Sequence, residues 1–260
     1  MFEELKELGY DLKFSHHADA LIASSFQAVE WEISTVLRDF RIPLSSLVGS
    51  GGGVTKGTQK LRDELYRIGW VKKTIQTRKY IVEYKGTPGV KSYKEISSEE
   101  TAVLSHEVDH VKTFASGRVL LEIEWNNKDP FFDRDLENFK RLHADGAASF
   151  GIIITRGKSF QDNIERVVGD FAEKVGIGSI TDLQKNKLSR TDRQRKAIPA
   201  AVQKCGGNFA RGWANAFVSD KYGAATTHWA KLDDRISRGV GSPSPLVAIG
   251  IPIDAIDIAR

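Results

Sequence analysis

Asp109, Glu122 and Glu124 are the residues of this chain whose types and spacing suit chemistry on a phosphate. Side chains alternate faces along a strand. In RVLLEIEW (118–125), Glu122 and Glu124 therefore share one face, while Leu121, Ile123 and Trp125 point to the other. Two adjacent carboxylates repel unless something positive lies between them. An exposed strand face with both acids in water is the alternative. Three features argue against it. The opposite face is apolar, so the strand belongs to a core. Asp109 lies thirteen residues before Glu122, and KTFASG between them permits a turn that would bring the two side by side on antiparallel neighbours. A polar loop, NNKDP, follows the strand, where a ligand would be met. Carboxylates with a main-chain carbonyl make a hard oxygen site suited to Mg²⁺. Such an ion lowers the pKa of a bound water and neutralises charge developing on a phosphate. The chemistry indicated is phosphodiester hydrolysis, although the bare pattern of one acid followed by E-x-E is weakly specific.

The elements that must position these acids are legible in part. DRDLENFKRLH (133–143) reads as a helix and SFGIIIT (149–155) as a strand buried on both faces. Strand, helix, strand in that order points to an α/β fold, a central mixed β-sheet flanked by helices. PLVAIGIP (245–252) reads as a last strand. Residues 24–40, 58–69, roughly 160–175, 208–219 and 228–238 carry helical spacing. Residues 71–84 alternate Lys/Arg with β-branched residues, which predicts an exposed strand or hairpin arm. A polar segment with Pro88 and Gly89 is expected to separate this N-terminal portion from the acids. The glycine-rich stretch 49–57 is a break that lacks the spacing of a phosphate-binding loop.

Composition sets outer bounds. The chain has 260 residues, 40% hydrophobic and 28% charged, with net charge +4 and pI near 9.0. That is ordinary globular composition, and one domain over 1–260 is expected. The mild basicity is compatible with nucleic acid and does not require it. Cys205 is the only cysteine, so an internal disulfide and a Cys-rich zinc site are excluded. No apolar run reaches the length of about 18 residues expected of a membrane span. The opening MFEELKELGYDLKF lacks a signal-peptide core, and a cytoplasmic location is expected.

DHVK (109–112), LEIEW (121–125) and NNKDPFF together resemble the PD-(D/E)xK nuclease superfamily, and within it the BglII/BstYI group of type II restriction endonucleases. FSHHADAL (14–21), GIIITRG (151–157) and SPSPLVAIGIP (242–252) resemble further segments of that group, whereas 86–104 and about 158–217 match poorly. The resemblance implies a restriction-endonuclease-like core in which 158–217 is a basic, helical insertion. It implies a Mg²⁺-dependent enzyme acting as a homodimer on a short palindromic site in double-stranded DNA. A GATC core is implied weakly, and a cognate DNA methyltransferase is expected in the same system. Asp109 and Glu122 resemble the metal ligands, with the Ile123 carbonyl completing them. Glu124 stands where most of the superfamily has Lys and the nearer relatives have Gln. BamHI-like enzymes use Glu there, so its role stays open between general base, water orientation and a second metal.

The same resemblance places base recognition in two loops. Asn126, Asn127 and Lys128 follow the catalytic strand, and Asn and Lys suit adenine and guanine edges in the major groove. A polar turn is the alternative. KYGAATTHWAKL (221–232) would be the other loop, with Thr226 and Thr227 as donors and acceptors; helix capping is the alternative there. The basic run 185–196, with Arg193, Arg195 and Lys196, would contact phosphates, or else is a solvated surface. Glu107 reads as a solvated acid, Asp129 and Asp133 as loop and helix-cap residues, and His16 and His17 as structural. His106 and His110 flank Asp109 without a third ligand for zinc. A repair or nicking nuclease of the same superfamily, or a DNA-binding module with inert carboxylates, are the competing readings.

Overall fold

A computed structural model describes residues 1–49, 56–89 and 91–258. Residues 50–55, in the glycine-rich stretch, lie outside the described residues. The elements in chain order begin with α1 (Glu3–Glu7), β1 (Asp11–Ser15), α2 (Ala18–Ser25), α3 (Gln27–Arg38), β2 (Ile42–Pro43), α4 (Leu44–Val48) and α5 (Lys56–Arg67). The middle of the chain forms β3 (Val71–Gly86), β4 (Tyr93–Phe114), β5 (Gly117–Glu124), α6 (Pro130–Ala144), β6 (Phe150–Arg156) and α7 (Lys158–Lys174). It closes with α8 (Ile180–Lys185), α9 (Asp192–Lys204), α10 (Phe209–Lys221), α11 (Trp229–Ser237), β7 (Leu246–Ile251), a 3-10 turn (Ile253–Ala255) and β8 (Ile256–Asp257).

Six strands form one mixed sheet in the order β1-β7-β6-β5-β4-β3. The central β5, β6 and β7 are parallel, and β1, β4 and β3 join antiparallel at the flanks. Parallel strands need crossovers and cover on both faces. That requirement explains FGIIITR, in which every residue of β6 is buried. One face packs Leu121, Ile123, Ile152 and Ile154 against α3 and α7, with Val29, Ile33, Phe160 and Ile164 among the contacts. The other packs Leu120, Ile153 and Ala248 against Phe132, Leu136 and Phe139 of α6 and Leu232 of α11. The predicted mixed α/β sheet flanked by helices is the observed architecture. Among the described residues no helix is long and apolar enough to cross a membrane.

The expected divide around Pro88 and Gly89 is absent. The two residues lie at the tip of a hairpin whose arms, β3 and β4, pair from Val71↔Val111 out to Gly86↔Tyr93. The second arm runs unbroken through Asp109, so this segment delivers the first acid instead of standing apart from it. Its outer part is exposed on both faces. Exposed residues at both parities give no period of burial, and the backbone ladder, with cross-strand contacts such as Arg78 and Tyr80 to Glu100, holds the strand.

Residues 158–217 cover α7 through most of α10. Helix α7 lies directly on the sheet and supplies Phe160, Ile164, Val167 and Val168 to the larger core. Helix α10 packs on α7, and α9 packs on α10. The sheet face that α7 covers therefore depends on the beginning of this segment, while its basic part is carried further out.

Candidate active site

β5 pairs with β4 in the register His110↔Leu121 and Val111↔Leu120, which sets Asp109 across from Glu122. The Asp109 backbone N–H donates to Glu122 Oε1 at 3.3 Å. Alternation puts Glu122 and Glu124 on one face, as expected; that face is the α6 side of the sheet, and neither acid is in water. They are 7% and 3% exposed. Both sit at the carboxyl end of a central parallel strand, the edge at which open α/β sheets meet ligands.

Helix α6 brings a fourth acid that the sequence pattern did not single out. Asp135 is 2% exposed. It shares the inward stripe of α6 with Phe132, Leu136 and Phe139. An acid within an apolar stripe at i, i+3, i+4, i+7 spacing is a signal that could have found it. Helix α6 begins at Pro130, three residues before the predicted start, so Asp133 falls in its first turn and Asp129 becomes the residue before it. Both of those acids face Arg235, with Asp133 Oδ2 accepting from its Nε at 2.9 Å.

Burial is the largest cause of the perturbed acidity here. It pushes Glu122 up to about 9, with the negative charges of Asp135, Asp109 and Glu124 adding to the effect. Glu124 and Asp135 are likewise raised, again first by burial. Two guanidinium groups oppose this accumulation. Arg62 of α5 meets Asp109 Oδ2 at 2.9 Å. Arg134 meets Asp135 Oδ1 at 2.7 Å and Glu124 Oε1 at 3.5 Å. The sequence pattern points to neither arginine, since each reaches the site from a helix remote in sequence or turned toward solvent. Among the described residues no three His, Cys, Asp or Glu side chains converge on one ligating point. Asp109 is turned to Arg62, while Glu124 and Asp135 share Arg134.

The two loops expected to read bases are brought together. Lys128 and Thr226 form an antiparallel bridge, the Thr227 N–H donates to the Asn127 carbonyl at 2.8 Å, and the Asp129 N–H donates to the Ala225 carbonyl at 3.1 Å. Asn127 Nδ2 in turn donates to Glu124 Oε2 at 2.8 Å. Asn127 and Lys128 are exposed and Asn126 is half-buried. The two threonines are less available than expected. Thr227 is fully buried, and the Thr226 hydroxyl donates to the Gly223 carbonyl and accepts from Arg156.

The remaining candidates are scattered. Arg193, Arg195 and Lys196 are exposed on α9, two helices out from the sheet on the face opposite the carboxylates. Arg193 and Arg195 face Asp220 and Asp192. Glu107 is an exposed acid paired with Lys72 at 2.6 Å. His110 is buried beside the site, and burial, reinforced by Arg62, holds its imidazole down to about 4. His17 occupies the entry to α2 in a left-handed conformation, consistent with a structural role.

A mixed sheet with buried acids at the carboxyl edge of its parallel strands and two loops meeting beside them fits an enzyme that hydrolyses phosphodiesters. The family described as Restriction endonuclease BglII/BglIII has a model that matches residues 10–251. The chain belongs to that family, and is accordingly a site-specific deoxyribonuclease whose substrate is double-stranded DNA. No curated protein matches the chain.

Proposed function

We propose that the chain is a Mg²⁺-dependent type II restriction endonuclease that cuts a short palindromic site from the Asp109–Glu122–Glu124 constellation. The observation that carries this reading is the placement of Asp109 opposite Glu122 at the end of β5, with Glu124 and Asp135 buried alongside. Buried acids in excess of the arginines beside them are the donor chemistry of a hard divalent cation. Asp109, Glu122 and the Ile123 carbonyl would hold it, and when bound it supplies an activated water and charge neutralisation at the phosphate.

The protein groups have separate tasks in this reading. Glu124 accepts from Asn127 and faces Arg134, so its carboxylate is oriented to position or deprotonate the attacking water. Arg62 holds a positive charge beside Asp109, within the region where a phosphate would arrive. Asp135 fixes Arg134 and, through it, Glu124. Asn126, Asn127 and Lys128 face DNA bases, with the 222–227 loop supporting them from beneath. The enzyme works as a homodimer, each copy cutting one strand, on a site containing GATC, with a methyltransferase protecting host DNA.

The test is incubation with Mg²⁺ and plasmid of known sequence, followed by sequencing of the ends. Discrete fragments with one repeated end sequence are expected, and Asp109→Ala should leave the plasmid intact. A smear, or fragments equally abundant with Asp109→Ala, would overturn the reading, and single nicks without linear product would point to a nicking enzyme. Another expectation concerns Asp135. Because it supports other groups at the site, Asp135→Ala should slow plasmid cleavage about 10–100-fold. An unchanged rate would remove it from the site.

A further inference from the structure

Arg156 ends β6 at the same edge of the sheet as Glu124, and it is fully buried. No carboxylate meets it among the described residues. Its donors go to neutral acceptors: Nε to the Trp125 carbonyl at 2.7 Å, Nη1 to Gln161 Oε1 at 2.7 Å, and Nη2 to Thr226 Oγ1 and the Thr227 carbonyl, each at 2.6 Å. Nη1 also reaches the Tyr222 carbonyl at 3.5 Å, and the guanidinium lies 4.9 Å from the centre of the Tyr222 ring. Trp125, Phe160 and Tyr222 pack edge to face around it. Burying an unpaired charge is costly, and burial does draw this guanidinium down to about 10. The sequence has spent stability at one point, and what that point joins is informative.

The acceptors belong to two places only: the end of the catalytic strand with the helix behind it, and the 222–227 loop. The connections close a ring. Glu124 accepts from the Asn127 side chain, the Asn127 carbonyl from the Thr227 N–H, the Thr227 carbonyl from Arg156, and Arg156 donates to Trp125, the neighbour of Glu124. The Thr227–Asn127 bond joins the two loops directly, Arg156 ties the 222–227 loop to Trp125, and the Asn127 side chain ties the 126–128 loop to Glu124.

We propose that Arg156 is a positioning residue that couples the DNA-facing 126–128 loop, and the 222–227 loop beneath it, to Glu124, so that the fit of the bases sets the rate of cleavage. This rests on the nuclease reading of the site given above. Only arginine suits the task, because a planar fork of donors reaches acceptors on opposite sides at once, whereas a lysine ammonium is a single point. With the ring opened, the loops can still contact DNA, but a correct sequence no longer places Glu124 better than an incorrect one.

The experiment compares cleavage rate constants, with enzyme in excess and Mg²⁺ present, on duplexes carrying the mapped site and on duplexes with one base pair changed. A single changed pair should slow the wild-type protein by about 5–150-fold. Arg156→Lys should bring that ratio down toward one, mainly by slowing the correct site, with binding measured in EDTA altered less than about threefold. Gln161→Met removes one acceptor of Arg156 and a donor to the Tyr222 carbonyl, and should lower the ratio in the same direction by a smaller factor. A purely structural role would slow all duplexes by one common factor and leave the ratio intact, which overturns the proposal. If Arg156→Lys fails to fold, the ratio for Gln161→Met decides. Wild-type protein giving no discrete fragments would overturn the nuclease reading and this inference with it. Discrete wild-type fragments with unchanged ratios in the variants would overturn this inference alone.

Discussion

Glu122→Gln should abolish cleavage and at the same time raise the thermal stability of the protein in EDTA. The two effects have one origin. Glu122 is buried against Asp135, Asp109 and Glu124, with one backbone N–H in compensation. Its carboxyl is pushed up to about 9 in the fold, against an ordinary value of 4.5. An acid raised by folding binds its proton more tightly in the native state than in the unfolded state, so its contribution to stability falls as pH rises across that interval. An amide of the same shape carries no such penalty and can still accept from Asp109. The gain on substitution should therefore be small near pH 4.5 and grow toward pH 9, reaching about 1–3 kcal/mol. On a chain of this size that is a few degrees in Tm. Cleavage should fall at least about a thousandfold, the scale of losing several kcal/mol of transition-state stabilisation. Melting curves in EDTA at pH 5 and pH 8.5 check the stability half. A lower Tm for the variant at pH 8.5 would show that Glu122 is not a strained acid, and the case for a cation at this position would lose its physical basis.

Gly151→Ala is expected to be strongly destabilising. A Cβ built on Gly151 falls inside van der Waals contact with the Phe139 ring, meeting its Cδ2, Cε2 and Cγ atoms. Phe139 is itself buried, packed between α6 and the sheet. Overpacking of this kind costs roughly 2–3 kcal/mol, or about 5–10 °C. The clash also pushes α6 away from the sheet, and α6 carries Asp135 and Arg134. Cleavage should accordingly weaken at temperatures where the protein is still folded. Adding Phe139→Leu to Gly151→Ala should recover part of both losses. A single variant with wild-type Tm would mean that α6 is not held at this contact.

The parts of the fold that can be read from the sequence are those where burial imposes a period. The apolar run of β6, the alternation of β5 and the stripes of α6 and α7 each follow from one face, or both, being removed from water. Helix ends are less well marked. Residues 24–40 read as one helix but form α2 and α3, with Phe26 between them buried against Phe114 and Phe150. The outer half of β4 leaves no trace in the pattern because both of its faces are wet. For the site, strand parity and the KTFASG turn are enough to bring Asp109 to Glu122. Spacing cannot supply Arg62 or Arg156, whereas Asp135 betrays itself only as an acid inside the apolar stripe of α6. Arg62 comes from a helix far upstream, and Arg156 is a buried cation that composition assigns to the surface. The two loops are paired in function by resemblance, but the bonds that join them, and the burial of Thr227, depend on tertiary packing.

The sheet order has a consequence for when the molecule can act. β7, made of residues 246–251, is inserted between β6 and β1, so the first and last strands of the sheet are neighbours. Until it arrives, β6 lacks one partner and β1 has none. Glu124 emerges from a ribosome long before that point. At about 5–20 residues per second, the interval between them is on the order of ten seconds of synthesis. During that interval the nascent chain carries its acids on a sheet that lacks two of its six strands. The sheet is complete only once residues 246–251 have entered between β6 and β1.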